Sequence, residues 1–246
     1  MTHELTDLLV LALKRDSGPS AVGGWRVVAA SGREVRMSVT LEATLSAGRY
    51  LLLPLSLRPR SGRHAAPLPY VLRVGSAKPL LCEATAASSN DVRAGLAGYL
   101  RMSGERHAAF DGMVMYSLHD AAGWLSYAEN TTAMMRFTLT LDHEGSFNVL
   151  PSRGGLCSFD VLPPGRGQLL QALSIASNED GSRMQCRTQF QADMTSSETH
   201  SPDAGSIHLP IPLKKTSAGP LGGLGIDGGF DGGLNEMLQR LGVRFI

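Results

Sequence analysis

Cys157 and His143 are the residues whose types could form a nucleophile and its general base, since a thiol attacks as its thiolate and an adjacent imidazole takes the proton. They lie on successive strand-like segments, His143 between Asp142 and Glu144, and Cys157 within Gly155-Leu156-Cys157-Ser158-Phe159. No cationic neighbour and no helix start adjoins the thiol, so nothing in the sequence activates it, and Cys157 reads as a buried structural cysteine. The acidic triplet reads as a solvated hairpin tip. The patterns GxSxG, HExxH and GxxxxGK[ST] do not occur. No catalytic residue and no metal ligand is assigned, and the binding residues stay unknown at this level.

Gly223, Gly225 and Gly228 spell a GxGxxG, but no strand pattern precedes them and no helix start follows directly, so the geometry that cradles a phosphate is missing. The same stretch resembles one calcium-binding β-roll repeat. A single copy has no neighbours to stack on, and the segment reads as a flexible linker. Cys82, Cys157 and Cys186 are odd in number and widely spaced, which fits neither a disulfide framework nor a zinc site. A reduced, intracellular, cytoplasmic protein is the expectation.

Charge narrows the partners. The 246 residues carry 23 Lys and Arg against 22 Asp and Glu, so no global field recruits nucleic acid or an anionic membrane. The densest local patch, Arg58, Arg60, Arg63 and His64, lies in a Pro- and Gly-rich stretch and reads as a solvated loop. The apolar run Leu8 to Leu13 is too short to span a bilayer, and Glu4 and Asp7 precede it where a signal peptide would be basic. No nucleic-acid partner and no stable membrane insertion are expected.

The elements that must position any site are mostly strands. Leu5 to Leu13, Trp25 to Ala30, the alternating Val35 to Leu41, Tyr50 to Leu57 and Tyr70 to Val74 read as the strands of a first unit. Continuous apolar runs imply burial on both faces, and Pro54 marks a strand end, bulge or edge. Between Ser88 and His107, Val92, Leu96, Tyr99 and Leu100 recur at helical spacing behind Ser-Ser-Asn-Asp, which predicts a helix between two β units. Met113 to Leu118, Gly123 to Ala128, Met135 to Leu141, Phe147 to Leu150, Leu156 to Val161, Gln168 to Ile175 and Met184 to Phe190 follow as short strands, the pattern of a sandwich. Residues 196 to 233 read as a linker, and Leu234, Met237, Leu238 and Leu241 as one face of a short terminal helix.

The two units echo one another. Leu45-Ser46-Ala47-Gly48-Arg49-Tyr50-Leu51-Leu52-Leu53 returns in outline as Leu162-Pro163-Pro164-Gly165-Arg166-Gly167-Gln168-Leu169-Leu170, in each case a turn that delivers Gly-Arg into an apolar run. The fold class predicted is mainly β, with two tandem antiparallel β-sandwiches, a short connecting helix and a flexible Gly-rich C-terminal tail. The boundaries are 1–87 for the first sandwich, with an opening strand missing by count, 88–195 for the second with its leading helix, and 196–246 for linker and terminal helix.

Certain of these residues carry a family resemblance. Gly48-Arg49-Tyr50-Leu51-Leu52-Leu53-Pro54 followed by Tyr70-Val71-Leu72-Arg73-Val74 resembles the end of the β-sandwich that follows the protease core in calpains. Gly104-Glu105-Arg106-His107, Asp111-Gly112-Met113, Gly123-Trp124-Leu125, Glu129-Asn130, Ser146-Phe147-Asn148-Val149, Ser152-Arg153-Gly154 and Val161-Leu162-Pro163-Pro164 resemble, in this order, the C-terminal region of the small optic lobes type of calpain. The resemblance implies a noncatalytic regulatory or docking module, whose partner is another protein or the protease core of a parent calpain. Calpains carry a papain-like Cys, His and Asn triad on a two-part core, and no segment here resembles that core. An alternative is a fragment of a longer calpain-like cysteine endopeptidase, and a weaker one is a lipid-binding sandwich acting through Arg58 to His64. No cofactor is expected, and the acidic loop tied to calcium in conventional calpain sandwiches has no counterpart. Gly48, Tyr50, Trp124, Asn148, Arg153 and Gly154 are the matched residues read as structural: Gly48 for a tight turn, Tyr50 and Trp124 for rings with polar reach, Asn148 and Arg153 for pinning a loop.

Overall fold

The computed structural model describes residues 6–15, 25–58, 70–177, 181–194 and 207–213. In chain order the elements are β1 (Thr6–Arg15), β2 (Trp25–Ala30), β3 (Glu34–Arg36), β4 (Tyr50–Leu55), α1 (Ser89–Ser103), β5 (Glu105–Phe110), β6 (Met113–Asp120), β7 (Gly123–Asn130), β8 (Met135–Asp142), β9 (Val149–Pro151), β10 (Cys157–Leu162), β11 (Arg166–Ile175), β12 (Arg187–Met194) and β13 (Ile211–Pro212). Every strand pair is antiparallel. Among the described residues the protein is therefore mainly β with one helix, as the pattern of short runs and the 3.6-residue period of Val92 to Leu100 predict.

The first sheet is built around β1. Its Leu11 to Arg15 pair with β2, its Thr6 to Leu8 with β3, and its Leu9 to Lys14 with β4. The continuous apolar run of β1 thus lies at the centre of its sheet, and among the described residues β4 pairs with β1 alone. Pro54 stands opposite Val10 in this pair, on a strand with an open edge, where a missing N–H is tolerated.

Helix α1 starts where the sequence signals it. The Ser88 side chain accepts from the Asp91 amide, and the Asp91 carboxylate accepts from the Ser88 amide, both at 3.1 Å, a capping box that satisfies two end donors. Leu96, Tyr99 and Leu100 are buried. Gly98 faces Val27 so closely that a Cβ there would lie 2.8 Å from its Cγ2. A side chain at this position would push α1 off the first sheet, so the small residue sets the approach.

Two cores stack on opposite sides of one sheet. The larger joins Leu11, Leu13, Val27 and Leu53 of the first sheet to Leu96 and Leu100 of α1, and both to Leu125, Tyr127 and Leu169 of the second unit. The second joins Met113, Ala128 and Leu170 to Phe137, Leu139, Leu141 and Leu162. The six-stranded sheet, ordered β13-β11-β7-β6-β5 with β9 also on β11, lies between them, and the three-stranded β10-β8-β12 closes the sandwich. β11 is consequently buried along nearly its whole length.

Four elements differ from expectation for local reasons. Val35 to Leu41 forms a strand only over Glu34–Arg36, and Tyr70 to Val74 forms none, because the described residues offer neither stretch a further partner strand. β5 was hidden behind the helical pattern, which stops at Gly104, where the amide still donates to Leu100 O at 2.8 Å. Within the segment read as a linker, 207–213 folds back: Ile211 is buried in the larger core and pairs with Gly167. The GxGxxG stretch and the expected terminal helix lie outside the described residues, as do Arg60, Arg63 and His64.

Candidate functional site

The nucleophile pair does not assemble. Cys157 pairs with Asp142 across β10 and β8, and the His143 amide donates to Leu156 O at 2.9 Å, so the backbones are adjacent. The side chains diverge. Cys157 is exposed, not the buried structural cysteine expected from its lack of activating neighbours, because it opens β10 on the outward face. His143 points inward, its Nδ1 bonded to Gln185 O at 2.9 Å and its ring 4.6 Å from that of Trp124. Burial depresses its pKa below the usual imidazole value. Cys186 is partly buried, with its thiol pushed up to about 11 by that burial. Among the described residues no group of three or more His, Cys, Asp or Glu is placed to hold a metal ion.

Trp124 lies in β7, the other matched residues occupy turns and loop anchors, and they do not converge on one spot. Gly48 takes φ +155° at the entry to β4, a backbone region that favours glycine. Tyr50 donates its hydroxyl to Ser46 O at 2.5 Å across that turn. Asn148, at φ 56°, donates from Nδ2 to Ser177 O at 2.6 Å and accepts from the Ser177 amide at 2.9 Å, tying the start of β9 to the chain beyond β11. Arg153 instead forks onto a carboxylate, donating to both oxygens of Asp160 at 2.8 and 2.7 Å, while Gln168 donates to the same group. Gly154 borders this loop with open space where a side chain would stand.

The most concentrated polar constellation was not anticipated. Arg33, with its side chain 0% exposed, donates to Asp7 Oδ2 at 2.9 Å, to Leu173 O at 2.9 Å and to Ser174 Oγ at 3.1 Å, and reaches Asp120 Oδ1 at 3.4 Å. Asp7 Oδ1 also accepts from Ser56 Oγ and from the amides of Leu57 and Arg58 at 2.8–3.0 Å. Burial works to raise the Asp7 carboxyl, but Arg33 and the hydroxyls of Ser174 and Ser56 hold it below its ordinary value. Asp120 is raised, burial outweighing the same guanidinium. The network couples β1 and the β2–β3 connection to the ends of β6 and β11, so it locks the first sheet against the second unit. The available signal was Asp7 itself, a carboxylate at the head of an apolar strand, which is uncommon unless a partner is buried with it.

The second unanticipated feature is a surface. Residues 70–90 are exposed throughout, and those from Tyr70 to Ala87 form neither helix nor strand. Val71 is 84% and Leu81 100% exposed, with Tyr70, Leu72, Val74 and Leu80 also open.

Residues 99–198 match the family model described as Calpain-D-like, C-terminal domain. No solved structure matches the chain. The matched stretch runs from the last turns of α1 through β12 and so covers the second sandwich, leaving out the first sheet and β13.

Proposed function

We propose that this chain is a noncatalytic regulatory and protein-interaction module of the small optic lobes type of calpain, working through an interface and not through bond cleavage. The observation that carries the reading is the match of 99–198 to a calpain-like C-terminal domain, seated on a sandwich in which Cys157 is exposed and His143 is turned inward onto Gln185 O. The ordered motifs from Gly104 to Pro164 support the subfamily. The uncovered apolar stretch after residue 70 supports docking to a protein, and the protease core of a parent calpain is the partner this reading names.

The fixed relation of the two units supports the same role. A module that transmits position must be stiff, and the Arg33 network and the shared core supply that stiffness. The purified chain is expected to leave casein intact with and without calcium, and to take up no stoichiometric active-site thiol probe of the papain type. Calcium-stimulated cleavage would overturn the proposal. A separately purified calpain catalytic core is expected to bind the chain in a titration, and absence of binding removes that core as the partner.

A further inference from the structure

The stretch Tyr70-Val71-Leu72-Arg73-Val74 has the composition of a strand and none of its pairing. It is exposed and forms neither helix nor strand, and among the described residues no backbone hydrogen bond joins Tyr70–Ala87 to another element. Both of its ends lead to anchored structure, β4 on one side and α1 on the other, so it is a tethered arm and not a fraying terminus. An arm with free donors and acceptors and apolar side chains is a template for strand addition.

The residues of the arm identify what adds to it. Antiparallel self-pairing about Leu72 sets Tyr70 opposite Val74 and Val71 opposite Arg73, with Leu72 opposite its own copy. An aromatic side chain then faces a β-branched one, a favourable cross-strand pair, and no arginine faces an arginine. Tyr70, Leu72 and Val74 of both copies fall on one face, making a six-residue apolar strip. The same strand used by both copies gives an isologous, closed contact. We propose that Tyr70–Val74 is a self-pairing strand through which two copies of this chain associate, antiparallel about a two-fold axis at Leu72. This rests on the interaction-module reading and commits this strand to a second copy of the chain.

Sedimentation velocity of the full chain, over roughly 1 to 100 μM, is expected to show a concentration-dependent dimer, since association by one short strand pair is modest. Leu72→Asp places two like charges opposite each other at the axis and is expected to weaken the dimer at least about tenfold. Leu72 is 43% exposed in the single chain, so the melting temperature of the variant, expected to move little, separates lost association from lost folding. In a background with Cys82→Ser and Cys157→Ser, Leu72→Cys is expected to form an intermolecular disulfide readily, because residues directly opposite across a pair have Cβ atoms within disulfide reach. Val71→Cys, which faces Arg73 of the other copy, is expected to cross-link poorly. A monomer across the whole range, a dimer indifferent to Leu72→Asp, or equal cross-linking at 71 and 72 would overturn the proposal. No protease enters these measurements, so their failure leaves the catalytic and core-binding tests standing.

Discussion

Gly48-Arg49-Tyr50 and Gly165-Arg166-Gly167 open two strands in the same way, yet β4 and β11 end in opposite circumstances. Gly48 at φ +155° and Gly165 at φ +63° both use backbone conformations that glycine alone adopts easily, and each hands an arginine to the first strand residues. Among the described residues β4 then pairs with β1 alone, and it is half-exposed along most of its length. β11 pairs with β7, β9 and β13 and is buried on both faces. The third residue of each turn records the difference. Tyr50 keeps a ring and a hydroxyl at the rim, whereas a Cβ on Gly167 would lie 2.0 Å from Tyr127 Oη. A shared turn therefore fixes how a strand begins, and its neighbours decide what its side chains must be.

The two regions are bound together by Arg33, and removing it is the largest test of the contrast. Arg33→Met leaves the Asp7 carboxylate buried without its cation, and is expected to cost about 3–5 kcal/mol in urea unfolding. Arg36→Met, which removes a largely exposed partner of Glu34, is expected to stay within about 0.5 kcal/mol. Equal losses would mean that the first sheet is held by apolar contact alone.

Acid is expected to act on the β11 side. His208 is buried, with Nδ1 bonded to Leu169 O at 2.8 Å, and burial followed by the nearby Arg153 charge lowers its pKa to about 4. A depressed imidazole favours the neutral form, so the unfolded chain binds the proton first as pH falls below about 6.5. Stability is thus unaffected by this group above that pH and declines between about 6.5 and 4, by an order of about 3 kcal/mol. His143 shifts the same way, while Asp160, raised chiefly by burial, opposes the trend lower in pH. Melting temperatures between pH 7.5 and 4.5 check this, and His208→Gln is expected to flatten the slope. An unchanged slope would assign the acid response elsewhere.

Gly167→Ala follows in size. The neighbouring Tyr127 is held in the larger core, so the added methyl must displace it, and overpacking of this kind costs about 1–3 kcal/mol. Thermal unfolding of the variant beside Tyr50→Ala is expected to show the smaller loss at Tyr50. The reverse order would place the tighter packing at β4.

Much of the fold was legible because its signals are local. Ser88 and Asp91 announce the start of α1. Bounding turn residues located β8 and β11 as short strands, whereas the alternation of Val35 to Leu41 gave a strand only over Glu34–Arg36. The misses share a different cause. Asp7 and Arg33 are 26 residues apart in sequence and Ser174 is 167 residues from Asp7, so their meeting is a property of topology. Tyr70 to Val74 reads as a strand and stands alone, because strand character in sequence says that a chain suits pairing and not that a partner is at hand. Cys157 reads as buried only because nothing near it activates a thiol, which says nothing of strand parity, and parity turns its side chain outward.

Tyr50→Phe is the smallest and most discriminating change at the first turn. The hydroxyl donates to Ser46 O and also lies 3.2 Å from Ser46 Oγ, which accepts from Lys14 Nζ at 2.8 Å. The ring stays in place in the variant, and Lys14 keeps its position over it, 5.9 Å from the centroid. Only a solvent-accessible hydrogen bond is lost, and water replaces its partner, so a loss of about 0.5 kcal/mol is expected. Backbone hydrogen exchange at Gly48 and Arg49 is expected to rise while exchange in β11 stays constant. If β11 responded, the two turns would be coupled through the shared core, and the contrast between an open strand and an enclosed one would be a difference of exposure without independence of stability.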